Sequence, residues 1–318
     1  MALLGNVDGR EFYPIGTREH PFAGAFDGNG KAVSGLRITS ATAAELPDPY
    51  SYVGLFGYCS ASSSIRGLAL EDSCAIDLSC ADTAASVRYA GGLVGYSAGS
   101  VEGCASRARV SVSWDDGHGG DGRAQAGTIV VSMVGGVAGC VEGALTSSSY
   151  TGSLTVTTPA NSFYDVSTGK NDAVVVSYVG GVAGRSGVEP QSAGLGVHGN
   201  VSGCSNAGRI AVYTTGESGR DRFGETVSAK SMFLGGVAGY ASGNVSGCRN
   251  EGIIRSNSYV PNDEDAATQV TWHNNNILSS FSYCNIAALT LNTSNFFPSG
   301  IFPTQSFRSN SLDRKSVV

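Results

Sequence analysis

Charge is scarce in this chain. Only 14% of its 318 residues are Asp, Glu, Lys or Arg, against about 25% in ordinary soluble domains. The formal net charge is −6 and no dense basic block occurs, which argues against nucleic acid as a partner. No run approaches 18 apolar residues, so no transmembrane helix is expected. Residues 1–10 lack the charged start and apolar middle of a secretory signal, so an exported protein of this kind would carry its signal outside this chain. There is no Cys-x-x-Cys pair and no His-Glu-x-x-His zinc motif, and His20, His118, His198 and His273 are scattered. No metal site, cofactor or catalytic residue is expected from these residues. A sustained helical period is missing as well, and with it the case for a helical bundle.

Glycine is what the chain has in excess: 45 residues, roughly twice the usual share of about 7%. The glycines are ordered. Gly91-Gly92-Leu93-Val94-Gly95 recurs as Gly135-Gly136-Val137-Ala138-Gly139, Gly180-Gly181-Val182-Ala183-Gly184 and Gly235-Gly236-Val237-Ala238-Gly239, with a weaker copy at Val53-Gly54-Leu55-Phe56-Gly57. Aligned on the glycine at 54, 92, 136, 181 and 236, the steps are 38, 44, 45 and 55 residues. Steps of this size define a repeat architecture.

Each glycine phrase is followed by a second one: Val101-Glu102-Gly103-Cys104, Leu145-Thr146-Ser147-Ser148, Val201-Ser202-Gly203-Cys204 and Val245-Ser246-Gly247-Cys248, with Ile65-Arg66-Gly67-Leu68 in the first copy. A third element alternates apolar and polar residues, through Ile76, Leu78 and Cys80; Val110, Val112 and Trp114; Leu154 and Val156; and Ile210 and Val212. A period of two is strand periodicity with one buried face. The pattern predicts an all-β chain, a right-handed parallel β-helix (β-solenoid) of about five repeats. In such a stack equivalent residues stand about 4.7–4.9 Å apart. The glycine phrase then serves to bend the chain or let neighbours approach. A phosphate cradle would need a helix after the glycines and would not recur four times.

Cys104, Cys204 and Cys248 occupy one repeat position, where the intervening copy has Ser148. A small, inward-facing site explains that choice, with buried thiols as the expected state. If each copy makes one turn, Cys204 and Cys248 stand about 4.8 Å apart, within disulfide range. If each makes two turns, the separation doubles and no bridge can form.

The repeats differ in length because of excursions at about 115–126, 159–172 and 215–226, with another at 185–199. Insertions at one repeat position project from one face of a solenoid, often the binding face. The candidate ligand-binding residues are therefore Trp114, Asp115, Asp116, Phe163, Tyr164 and Phe223. The aromatic rings would stack on a glycan or a host protein, although capping of the core is the alternative for rings at strand ends. The segment Asp115–Gly122 has the oxygens and flexibility of a calcium loop but matches neither an EF-hand nor the calcium-binding nonapeptide repeat, so a solvated turn is expected. Asp27, between Gly28 and the run at 22–26, reads as a turn aspartate rather than a catalytic acid.

The segment from Phe12 to Ile38, followed by Gly-Leu-Phe-Gly at 54–57, Gly-Leu-Val-Gly at 92–95 and then Val-x-Gly-Cys, resembles the GLUG-motif family of bacterial surface and secreted proteins. The likeness covers about residues 12–258; in the later copies valine replaces the leucine. It implies an adhesin-like solenoid located outside the cell or at its surface. Similar repeats accompany some immunoglobulin A-cleaving metallopeptidases, but there is no catalytic residue to carry over. The expected organisation is a leading cap over 1–51, repeats over 52–258 and an irregular tail over 259–318, whose last six residues, Asp313–Val318, read as a translated sequencing adapter. The chain is thus expected to be a fragment. The expected function is a non-catalytic spacer or adhesive surface, with a carbohydrate-active β-helix or an accessory segment of a large peptidase as alternatives.

Overall fold

A computed structural model describes residues 2–3, 12–39, 50–81, 85–115, 128–159, 164–165, 170–171, 173–187, 199–215, 219–220, 226–227, 231–257 and 269–273. Every regular element among them is a strand. The strands form a right-handed parallel β-helix in which each sequence repeat makes one turn.

Four walls run along the axis. The first wall is built from Tyr50–Val53, Ala85–Gly91, Thr128–Gly135, Ala173–Gly180 and Ser231–Gly235. The second follows the glycine phrase and comprises Phe56–Cys59, Val94–Ser97, Ala138–Val141, Ala183–Ser186 and Ala238–Ala241. The third carries the Val-x-Gly-Cys phrase, from Ser64–Leu70 to Arg249–Asn250. The fourth is the alternating strand, from Arg37–Thr39 through Arg109–Asp115 to Ile253–Asn257. All four walls pair parallel from turn to turn, and the register matches the repeat: Val110 pairs with Ile76 and Leu154, and Val201 with Leu145 and Val245.

The step of 38 residues from Gly54 to Gly92 holds after the bend, where Phe56 pairs with Val94, but before it Val53 pairs with Ala90. Gly54-Leu55 therefore spans what Gly91-Gly92-Leu93 spans later, and the first copy is one residue shorter in its bend. The leading segment is itself an incomplete turn in register with the first: Ile15 bridges to Phe56, Phe22 to Cys59, Phe26 pairs with Ile65 and Ile38 with Ile76. At the other end Gln269–His273 pairs antiparallel with Ile253–Asn257, adding a strand of opposite direction to the fourth wall.

The core is a set of stacked columns. Ile76, Val110, Leu154 and Ile210 are fully buried, as are Ile65, Val101, Leu145 and Val201. Each such side chain contributes about 1.5–3 kcal/mol by leaving water. Cysteine takes the expected place in this core: Cys104, Cys204 and Cys248 donate their thiols to the carbonyls of Glu102, Ser202 and Ser246, and the Ser148 hydroxyl donates to Thr146 in the same way. The first turn has the buried Leu68 at this position, so it accepts an apolar side chain as well as a small donor that reaches the carbonyl two residues back.

A second column explains the glycine phrase. Leu70, Ser106, Tyr150, Asn206 and Asn250 stack in register and are all buried. A Cβ on Gly136 would lie 2.2 Å from the Tyr150 ring, and one on Gly181 or Gly236 would lie 2.4 Å from the Asn206 or Asn250 amide carbon. The second glycine of the phrase is thus the floor on which the column residue rests. The larger polar members are satisfied: Asn206 Nδ2 donates to Asn250 Oδ1 at 2.7 Å, Gly208 N donates to Asn206 Oδ1 at 3.0 Å and the Tyr150 hydroxyl donates to Ala108 O at 3.1 Å, whereas the buried Ser106 hydroxyl has no hydrogen-bond partner among the described residues.

Candidate functional site

Three of the four excursions share one corner of the solenoid. The fourth-wall strands end at Ala81, Asp115, Pro159 and Thr215, with Asp115 paired to Ala81 and Pro159 to Thr215. The first wall resumes at Ala85, Thr128, Ala173 and Ser231, with Ile129 paired to Ala85, Thr128 to Ala173 and Ser231 to Val176. The intervening spans therefore leave and rejoin the body at stacked positions. Two of them contain short antiparallel pairs, Tyr164–Asp165 with Lys170–Asn171 and Gly219–Arg220 with Thr226–Val227. The excursion near 185–199 leaves from a different corner, after Ser186 at the end of the second wall.

Of the candidate ligand-binding residues, Trp114 and Asp115 have their backbones at the end of a fourth-wall strand, paired with Cys80 and Ala81. Tyr164 pairs with Asn171 in the short hairpin. Asp116, Phe163 and Phe223 lie outside the described residues, as does the Asp116–Gly122 part of the calcium-like segment. Asp27 sits at a register shift within Ala25–Ser34 and accepts a hydrogen bond from Asn29 N at 2.8 Å, the geometry of a turn aspartate. That bond, followed by the Arg66 guanidinium, holds its carboxyl below the usual range.

A feature not anticipated from the sequence lies outside the main core, where the first and second walls meet. Tyr52, Tyr89, Met133, Tyr178 and Phe233 form one row along the axis, and Tyr58, Tyr96, Cys140, Arg185 and Tyr240 form another. Met133, Cys140 and Tyr178 are buried between the rows as a separate apolar cluster. Rings in one row stack: Tyr52 on Tyr89 at 4.9 Å, Tyr58 on Tyr96 at 4.5 Å and Tyr178 on Phe233 at 4.8 Å. Rings in opposite rows meet edge to face, as Tyr52 does with Tyr58 at 5.0 Å. The Arg185 guanidinium lies 5.9 Å from the centre of the Tyr240 ring. The signal for both rows was present: one row stands two residues before the first glycine and the other directly after the last glycine of the phrase.

This cluster is built for packing rather than chemistry. Burial raises the Tyr89 and Tyr96 phenols far above their ordinary ionisation, with the Glu142 hydrogen bond adding to Tyr96, so both stay protonated. A sugar docks on the open face of a ring. Here neighbouring faces are spent on each other at the strand spacing, which leaves the row as stacked edges.

Three carboxylates of the described residues are engaged by arginines of the next turn: Asp27 by Arg66 at 2.7 Å, Glu71 by Arg107 at 3.5 Å, and Asp77 by Arg109. These pairs are exposed, and ion pairs held in water contribute little to stability. Among the described residues no three His, Cys, Asp or Glu side chains converge on a common point, and no helix is long and apolar enough to cross a membrane. No family model, curated protein or solved structure matches the chain.

Proposed function

We propose that this chain is a non-catalytic solenoid segment of a bacterial surface or secreted protein, acting as a spacer that presents its excursions to a glycan or a host protein. The observation that carries the reading is the combination of an in-register stack with excursions suspended from one corner. The stack sets length and stiffness. The excursions, hung in a row, supply the surface that varies from turn to turn. The resemblance to the GLUG-motif family supports the surface location, because such repeats occur in adhesin-like proteins.

The catalytic alternative needs acids gathered on one strand face, with a base nearby for lyase chemistry. Asp27, Glu71 and Asp77 instead lie in separate ion pairs, which weighs against a carbohydrate-active β-helix; fold alone does not license that activity.

The test is a binding screen of the full chain against a glycan panel and purified host matrix proteins. It is paired with a second chain in which residues 160–172 are replaced by a short Gly-Ser link. Binding that falls with the replacement assigns adhesion to the excursion row. Uniform silence removes the adhesive role and leaves the spacer. Turnover of a polysaccharide by the same preparation would overturn the non-catalytic reading.

A further inference from the structure

Cysteines that occupy one repeat position meet only where two successive turns both carry one. Cys104 is separated from Cys204 by the Ser148 turn, so these two stand two rungs apart. Cys204 and Cys248 are on adjacent rungs. Ser202 pairs with Ser246 before them and Ser205 with Arg249 after them, so the cysteines face each other with no register offset. Gly203 N donates to Ser246 O at 2.9 Å and Arg249 N donates to Cys204 O at 2.9 Å, which keeps the two backbones at strand spacing on both sides of the pair. That spacing, about 4.7–4.9 Å, falls inside the Cα separation of about 4.4–6.8 Å that a disulfide accepts.

The thiols point the same way. Cys204 Sγ lies 3.5 Å from Leu145 O and Cys248 Sγ 3.6 Å from Val201 O, which are register-paired carbonyls one turn apart. Both sulfurs are thiols in this structure, and each is the leading influence on the other's proton. Cys204 is 1% exposed and Cys248 is 8% exposed. The contact with Cys204 draws Cys248 below the ordinary thiol value, and the same contact together with burial holds Cys204 above it. The more accessible sulfur is therefore also the one that more readily forms the attacking thiolate.

We propose that Cys204 and Cys248 form a redox-responsive staple, a disulfide that locks the fifth turn of the solenoid onto the fourth when the protein meets a low-molecular-weight organic disulfide. The thiolate of Cys248 attacks one sulfur of the reagent, forming a mixed disulfide and releasing one reagent thiolate. Cys204 gives up its proton and attacks the Cys248 sulfur, releasing the second reagent thiol. The protein loses two protons and two electrons, and the reagent disulfide is reduced to two thiols. The bond spans residues 204–248 and so encloses the excursion between the two turns and the last full bend. The inference stands on the single-turn register and is independent of the surface reading.

The test incubates the folded full chain with oxidised glutathione, quenches with acid, unfolds it, alkylates it and maps the peptides. The expected product is a Cys204–Cys248 cross-linked peptide with a mass loss of about 2 Da. Cys59, Cys74, Cys104 and Cys140 stay alkylated, and the thermal midpoint shifts upward in a way that dithiothreitol reverses. The variant C204S controls for folding, because serine already occupies the equivalent position one turn earlier, at Ser148. In it Cys248 is expected to stop at the glutathione adduct, with no upward shift in midpoint. Two results overturn the proposal: a wild-type Cys248 that also stops at the adduct, or a folded chain in which neither cysteine reacts while the urea-unfolded chain is oxidised under the same conditions.

Discussion

One repeat position adopts a left-handed backbone in all five turns. Gly67, Gly103, Gly203 and Gly247 have φ of 60, 58, 61 and 60°, and the third turn places Ser147 there with φ of 49°. A side chain in this region costs about 1–2 kcal/mol, partly offset by the lower entropy of a serine in the unfolded chain. Ser147→Gly is expected to raise stability by about 0.5–1 kcal/mol, read as a higher urea midpoint with an unchanged m-value. A lower midpoint would mean that the serine makes a compensating bond.

Cys59 gives the residue scale a pH signature. Burial pushes its thiol up to about 12, whereas in the unfolded chain a thiol ionises near about 8.5. Above that value the unfolded state holds fewer protons than the folded state. The contribution of Cys59 is therefore complete below about pH 8.5 and declines as pH rises toward about 12, by up to about 1.4 kcal/mol per pH unit. Urea unfolding between pH 8 and 11 is expected to lose stability less steeply in Cys59→Ala than in the wild type. Parallel slopes would refute the assignment.

At the scale of the element, the glycine phrase and the Val-x-Gly-Cys phrase are one device. The bend brings the second glycine under the column residue that follows the cysteine position, and the pairs Gly92 with Ser106, Gly136 with Tyr150, Gly181 with Asn206 and Gly236 with Asn250 recur down the stack. Column residue size therefore varies only because the floor is bare. Gly136→Ala, whose methyl would meet the Tyr150 ring at 2.2 Å and Gly181 O at 2.3 Å, is expected to cost about 3 kcal/mol. Gly136→Ala combined with Tyr150→Ser is expected to recover part of that loss, and a double-mutant cycle that shows strict additivity would sink the coupling.

Much of this was legible in the sequence. The period of two in Val110, Val112, Leu154 and Val156 identified the inward face because alternate residues of a strand share a side. The pairing of Gly136 with Tyr150 was not legible, since contact across a bend depends on how far the chain folds back. The rows were spelled out beside the glycine phrases, with an aromatic in every turn but the third, which has Met133 and Cys140. Their role was hidden because a tyrosine two residues before a bend and one just after it share a cluster only if the two walls meet outside the core.

On the scale of the whole molecule, stability is a sum of turns and of the interfaces between them. Gly136 and Gly181 occupy equivalent places in successive turns, with Gly135 paired to Gly180. Deletion of residues 137–181 rejoins the chain in register and removes one rung, about 4.8 Å of length. The shortened chain is expected to keep the far-ultraviolet circular dichroism of a β-protein and to unfold in one transition at a lower denaturant midpoint. Loss of the β signal would show that the third turn is needed for nucleation, against the view that turns are interchangeable units.

The repeat period, the buried face of each strand and the small inward site shared by cysteine and serine follow from the sequence alone, because they are local patterns that any parallel stack must obey. One turn per repeat, the neighbour relation of Cys204 and Cys248, the bare glycine floor and the aromatic rows were decided only by tertiary structure. Each depends on the pitch of the coil and on how sharply the chain bends between walls, and those quantities arise when separate repeats pack against one another.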